Sequence, residues 1–319
     1  MKKTPCLAIF AVLACYLTLA ACSGEPGAGK DGSAASPPLR LGVMPSMDYL
    51  PLAVALREGY CAEEGLDLVL VKFYSANERD AALQSGGVDG AVIDYTGGLL
   101  QRSGGFDVKL TSACDAPFYV IAGKSSGITS LEDLRGAKIA LSRNTVIDYL
   151  LDMALSSVSI RPDEVEKVEI NKIPLRFEML ESGRIDVTGL PNPLALMAER
   201  AGHRVLTSNQ ELGFAVTGIL FAQKTLDERS DDIRAFYRAY DRGVAYLSTH
   251  GIADIADILH AEMGYPEDLL PHARIPAYSP ATPPSDADMI KVAAWLAERG
   301  LIPVDFPGPS AIAPGYTAP

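Results

Sequence analysis

Positive charge is scarce in this chain. Its 319 residues carry 28 Lys and Arg against 40 Asp and Glu, a formal net charge of −12. An acidic surface repels phosphate backbones, which argues against nucleic acid as a partner. Histidine is scarcer still. The four present, His203, His250, His260 and His272, have no metal-ligand spacing with Cys or acids, so neither a metal centre nor a cofactor is expected. Two catalytic signatures are approached and missed. Gly24 to Lys30 nearly spells a phosphate loop, but Asp31 stands where Ser or Thr is needed and no strand precedes it. Gly123-Lys124-Ser125-Ser126-Gly127 matches the pattern of a nucleophile elbow, but no helix starts directly after it, and Ser130 reads as the cap of the next short helix. What is present is globular composition: 48% apolar residues, with 28 Gly and 22 Pro.

The first residues stand apart from the rest. Lys2 and Lys3 form a basic start, and Leu7–Leu19 is apolar but too short to span a bilayer stably. Leu19-Ala20-Ala21-Cys22 follows, which resembles the bacterial lipobox, whose cysteine thiol receives a diacylglycerol and becomes the new N-terminus. Residues 1–21 are then a signal peptide, and loss of Lys2 and Lys3 takes the charge from −12 to −14. Residues 22–38, rich in Gly, Ala, Ser and Pro, are a flexible tether. The competing reading is an ordinary signal peptide, or an uncleaved anchor, with an incidental cysteine. Of five cysteines, Cys61 and Cys114 remain in an oxidising compartment, as a disulfide or as two buried small residues.

From Leu39 onward short apolar runs alternate with helical patterns. Strands are expected at Leu39–Met44, Asp67–Lys72, Gly90–Ile93 and Val108–Cys114, with helices at Leu50–Glu64, Asn77–Ser85 and Thr96–Ser103. The pattern restarts with strands at Lys138–Leu141, Val165–Ile170, Val187–Gly189 and Arg204–Thr207. Helices at Thr145–Ser156, Leu175–Ser182 and Pro193–Ala201 lie between them. This alternation predicts βαβ crossovers and mainly parallel sheets. After the strand Ala215–Ala222 come helices at Ser230–Thr249, Ile252–Met263 and Ser285–Arg299. One stretch recurs: Leu83-Gln84-Ser85-Gly86-Gly87-Val88-Asp89 against Leu180-Glu181-Ser182-Gly183-Arg184-Ile185-Asp186. The same helix-to-strand device used twice suggests two similar α/β lobes, with a common turn recurring by chance as the alternative.

The segments Leu52–Tyr60, Glu64–Leu68, Leu83–Asp89, Ile128–Gly136 and Leu180–Asp186, in this order behind a lipobox, resemble the periplasmic substrate-binding proteins of nitrate, sulfonate, taurine and thiamine-pyrimidine ABC importers. Where that family usually has an aromatic, this chain has Cys61. The resemblance implies a type II periplasmic-binding-protein fold, with two lobes, each a mainly parallel sheet flanked by helices, and two crossover segments. Lobe one is expected at 39–115 and 216–302, lobe two at 116–215, and a frayed tail at 303–319. It also implies a monomer that captures a small molecule in the interlobe cleft and delivers it to a permease and ATPase complex, performing no chemistry. The location is outside the cell membrane, held by a lipid on Cys22.

Ligands of open parallel sheets bind where strands end and helices begin. Four loops meet that condition, contributing Ser46, Asp48 and Tyr49; Asp94, Tyr95 and Thr96; Ser142, Arg143, Asn144 and Thr145; and Asn192. Phe118, at the crossover beside Asp115 and Tyr119, is a candidate aromatic wall. Ser46, Asp48 and Asp94 compete with plain capping roles, and Phe118 with a core role. Lobe one would bring Asp48 and Asp94 to the cleft, and lobe two Arg143 with Arg176. Two carboxylates on one side disfavour a bare anion. They point to a polar organic ligand with a donor or cationic end and an acceptor end, such as an aminopyrimidine-like or zwitterionic compound. The alternatives are a sulfonate, taurine or nitrate binder of the same family, an enzyme of this fold from menaquinone or thiamine-pyrimidine biosynthesis, and a lipoprotein that only contacts other proteins. In the enzyme reading Asp48 or Asp94 would be the acid–base group.

Overall fold

The computed structural model describes residues 37–317. The expected signal peptide, Cys22 and the tether as far as Ser36 lie outside the described residues. The elements run in the order β1 (Leu39–Val43), α1 (Leu50–Arg57), α2 (Tyr60–Glu63), β2 (Leu68–Lys72), α3 (Ala76–Gln84), β3 (Gly90–Asp94), α4 (Tyr95–Ser103), β4 (Val108–Ala113), β5 (Phe118–Ala122) and β6 (Lys138–Leu141). They continue with α5 (Val146–Ser157), β7 (Glu166–Glu169), α6 (Ile173–Glu181), β8 (Val187–Pro191), α7 (Leu194–Arg200), β9 (Arg204–Ser208) and β10 (Thr217–Ala222). The C-terminal part is helical: α8 (Gln223–Glu228), α9 (Ser230–Thr249), α10 (Ala256–Ala261) and α11 (Asp286–Glu298).

Two five-stranded sheets result, ordered β2-β1-β3-β10-β4 and β7-β6-β8-β5-β9. In each, the first three strands are parallel, as the βαβ spacing predicts, and the fourth is antiparallel to both its neighbours. The central strands β3 and β8 are buried at every position, which suits near-continuous apolar runs with both faces covered. The edge strand β7, with Glu166 and Lys167, is polar and partly exposed, as an unpaired edge requires. Sheet and helices in each half make one lobe of a mixed α/β, two-lobe fold.

Four local expectations change. The expected helix Leu50–Glu64 is two helices, because Gly59 takes φ +78°, a left-handed conformation that ends α1. The expected helix Ile252–Met263 is a 3₁₀ turn, Ile252–Ile255, followed by α10. Phe118, read as part of a crossover, opens β5, which pairs with both β8 and β9. The tail expected to fray from Pro303 packs instead. Ala311 is buried, the Ala313 N–H donates to the Leu110 carbonyl at 2.8 Å, and Tyr316 receives the Arg234 guanidinium over its ring. Cys61 and Cys114 are both buried and free, which settles the disulfide question in favour of two small apolar residues.

The recurring heptapeptide builds the same device twice. Gly86 and Gly183 end α3 and α6 with φ +73° and +67°. The aspartates that follow then accept a backbone N–H from a neighbouring strand: Arg40 N to Asp89 Oδ2 at 2.7 Å, and Lys138 N to Asp186 Oδ2 at 2.8 Å.

The lobes share a core. Ile93 and Leu110 of one sheet, Val120 and Ile139 of the other, and Trp295 of α11 belong to one buried cluster. Trp295 meets Tyr149 of α5 edge-on at 5.4 Å, and its Nε1 donates to Asp152 at 3.1 Å. Asp152 is also ion-paired with Arg299 and Lys167.

Lobe one depends on a close approach of α9 to α1, where a Cβ at Gly243 would lie 2.1 Å from the Pro51 carbonyl oxygen. Gly243→Ala gains about 1 kcal/mol of helix propensity and loses more to overpacking, about 1–3 kcal/mol or above. The clash wins, so the variant should unfold at lower denaturant than the wild type. A midpoint equal to or above wild type would show that α1 and α9 do not pack this closely.

Candidate ligand-binding site

Between the lobes lies a narrow, largely apolar cavity, with room of about 50 Å³ for the centres of water-sized molecules, partly continuous with solvent. Strand ends build it. Parallel strands deliver their C-terminal ends: Met44–Ser46 after β1, Asp94 of β3, Ser142 after β6, Asn171 after β7 and Pro191 of β8. The antiparallel strands deliver their first residues to the same edge, since Thr217 of β10 lies opposite Asp94 and Phe118 of β5 opposite Pro191. Apolar walls come from Met44, Val92, Phe118, Ile147 and Ile173.

The polar groups are few and buried. Asp48 accepts the Ser46 hydroxyl at 3.1 Å and the Thr217 hydroxyl at 3.3 Å. Burial outweighs these bonds and raises its carboxyl to about 7. Asp94 is ion-paired with Arg79 at 2.9 Å and accepts the Thr96 hydroxyl at 2.8 Å. Its Oδ2 also accepts the Val146 N–H of α5 at 3.2 Å, a direct hydrogen bond from lobe two to lobe one. Arg79, 3% exposed, additionally bonds Asp80 at 2.8 Å and the Val92 carbonyl at 3.2 Å. Arg176, 1% exposed, donates from Nη1 to the Ile170 carbonyl at 2.8 Å, and its Nε has no partner. Burial lowers its guanidinium to about 10, so it stays charged at neutral pH.

Six of the twelve candidates from the sequence line this cavity: Ser46, Asp48, Asp94, Phe118, Ser142 and Thr145. Several have capping duties as well. Ser46 caps the 3₁₀ turn Met47–Tyr49, and Thr145 caps α5 by accepting the Ile147 N–H. Ser142 donates to Asn171 at 2.7 Å. The other six lie elsewhere. Tyr49 turns into the lobe-one core, its hydroxyl on the Glu262 carbonyl. Tyr95 is fully buried and Thr96 serves Asp94. Arg143 and Asn144 line an adjoining open crevice, with Arg143 half-exposed and 3.5 Å from Glu169. Asn192 accepts the Leu196 N–H and lines a surface depression with Tyr119 and Arg274. Arg143 therefore does not supply the lobe-two cation of the cavity; Arg176 does. Arg79, Asn171 and Ile173 were missed, although the strand-to-helix turns after β2 and β7 meet the same rule that selected the other loops. No group of three His, Cys, Asp or Glu that could hold a metal ion occurs among the described residues, and no helix among them is long and apolar enough to cross a membrane.

Asp48 makes stability depend on pH. Its carboxyl is raised from 3.8 to about 7 by folding, so between those values the folded chain binds more protons than the unfolded one. Stability should therefore fall as pH rises from about 4 to about 7, by up to about 4 kcal/mol, and level off above. Asp48→Asn should flatten that part of a melting-temperature profile. Profiles of equal slope for variant and wild type would show that Asp48 ionises normally.

The family model described as NMT1/THI5 like matches residues 46–251. The riboflavin-binding protein RibY of Chloroflexus aurantiacus is 26% identical over 213 residues, 65% of this chain and 61% of RibY. A putative aliphatic sulfonates-binding protein of Bacillus subtilis is 22% identical over 277 residues, 81% of this chain and 77% of the relative. The alkanesulfonate-binding protein SsuA from Xanthomonas axonopodis pv. citri, solved bound to MOPS, superposes with a TM-score of 0.75 at 16% identity, covering 89% of this chain and all of that one. The last likeness confirms the two-lobe periplasmic-binding-protein fold. With the family model spanning most of the chain, from the first cleft loop to the end of α9, this protein belongs to the NMT1/THI5-like family.

Proposed function

We propose that this chain is the exported substrate-capturing component of an ABC importer, a monomer that serves a permease and ATPase and performs no chemistry itself. The observation that carries the reading is the cavity between the lobes, lined from both and bridged by the Val146 N–H on Asp94. A ligand held there is enclosed by lobe closure, as capture and release require. The named roles of the relatives, riboflavin binding and sulfonate binding, support it. An enzyme of the same fold is less well supported. Asp48 is the lining carboxyl poised to exchange a proton, and hydroxyls of Ser46 and Thr217 already occupy both its oxygens.

The ligand is a small organic molecule, and the case against anions weakens. It rested on two free carboxylates in lobe one. Asp94 is ion-paired with Arg79, and burial raises Asp48 to about 7, so that it is only partly ionised at neutral pH. Sulfonates stand beside aminopyrimidine-like and zwitterionic compounds as candidates. A melting-temperature screen of thiamine precursors, pyrimidines, riboflavin, sulfonates, nitrate and amino-acid-like compounds tests capture. A ligand at a hundred times its dissociation constant adds about 2.7 kcal/mol. Added ligand should also keep or reduce the radius of gyration. No shift with any compound, or expansion on binding, would overturn the reading.

The anchor is proposed on Leu19-Ala20-Ala21-Cys22. Cys22→Ala should release the protein from membranes into the soluble fraction. Membrane association in the variant, with no acyl group on the wild type, would exclude lipidation.

A further inference from the structure

The two lobes carry the same arginine in the same place, and only one of them is neutralised. Arg79 lies four residues before Leu83, and Arg176 four residues before Leu180, at the heads of the two copies of the recurring stretch. Their helices, α3 and α6, correspond residue for residue, as do the buried strands β3 and β8 that follow. Both guanidinium groups are almost wholly buried and both line the one cavity. In lobe one the counter-charges are Asp80, the next residue on α3, and Asp94, the last of β3. The corresponding positions in lobe two are Phe177 and Pro191. Among the described residues no carboxylate pairs with Arg176, and its one bond is to the Ile170 carbonyl.

A buried cation without a partner is costly, and folds retain one where something else supplies the charge. We propose that Arg176 is the anion-binding residue of the cavity: the ligand brings the carboxylate, sulfonate or phosphate group that lobe two lacks. The rest of the ligand is then a compact body against Phe118, Ile147, Ile173 and Met44. The proposal rests on the capture reading and narrows it to organic anions. A planar guanidinium suits such groups, since it offers two parallel N–H donors to two oxygens.

Matched pairs of probes test it by calorimetry: butane-1-sulfonate against butyl methyl sulfone, hexanoate against hexanamide, and monobutyl phosphate against its neutral dimethyl ester. At least one anion should bind ten times or more tightly than its neutral partner, and which one does so identifies the head group. Arg176→Gln should erase that preference, and Arg176→Lys should restore part of it. Equal affinity for anion and neutral partner in the wild type overturns the proposal, and this comparison stands even if the variants fail to fold. So does a charge preference that survives Arg176→Gln. If no anion binds while neutral or cationic compounds of the wider screen do, the anion site is wrong and capture stands. If nothing binds, both fall.

Discussion

One buried carboxylate ties the molecule together. Asp94 ends a central strand of lobe one, neutralises Arg79, holds the Thr96 hydroxyl and accepts the first N–H of α5 from lobe two. A helix N-terminus carries partial positive charge and unpaired donors, so a carboxylate from across the cleft is well matched to it. The bond exists only while the lobes are together. Asp94 thus serves a partner in its own lobe, Arg79, and one across the cleft, the Val146 N–H. Removing the carboxylate would leave Asp80 as the one carboxylate partner, among the described residues, of a cation with 3% exposure, and breaking such buried pairs typically costs 3–5 kcal/mol.

The cavity inherits its polarity from this arrangement. Lobe one contributes Arg79 held between two carboxylates, Asp80 and Asp94, together with Asp48, whose burial favours its neutral form. Lobe two contributes a lone guanidinium at the matching position. Had lobe two kept the aspartates, its guanidinium would be paired within the fold as Arg79 is, and less open to a ligand. With Phe177 and Pro191 at those positions, Arg176 is a positive charge with no carboxylate paired to it among the described residues, in a largely apolar enclosure. At low effective dielectric such a charge acts strongly on a ligand and weakly on bulk solvent.

Much of the architecture was legible because the chain writes it locally. Apolar runs such as Asp67–Lys72 and Val187–Gly189, with helical patterns between them, forecast parallel strands and crossovers, and α9 has its expected bounds, Ser230–Thr249. What misled was of two kinds. A single glycine, Gly59, divides a pattern that reads as one helix, because apolar spacing continues across a residue with φ +78°. Phe118 and Tyr119 read as part of a crossover because the partners of β5, β8 and β9, lie far along the chain, and pairing of that range leaves no local mark. For the site, choosing loops after strands found Ser46, Asp48, Asp94, Ser142 and Thr145. It failed on direction, since Arg143 and Ser142 are neighbours, yet one faces the cavity and the other the open crevice.

The repeat was visible in the sequence as seven residues, and its consequence was not. Gly86 and Gly183 drew attention because they end helices, and Asp89 and Asp186 because they follow. The informative positions lay one turn earlier, where arginine is retained, and at the far end of the next strand, where aspartate is not. A helix residue such as Arg79 ordinarily reads as solvated, so nothing in a single copy marks it as buried. Only the pairing of two copies around one cavity does so. It shows the same guanidinium satisfied within the fold on one side and left open on the other. A fold assembled from two similar halves can in this way carry its structural ion pair and its recognition charge at equivalent positions, distinguished by whether the counter-charge is part of the chain.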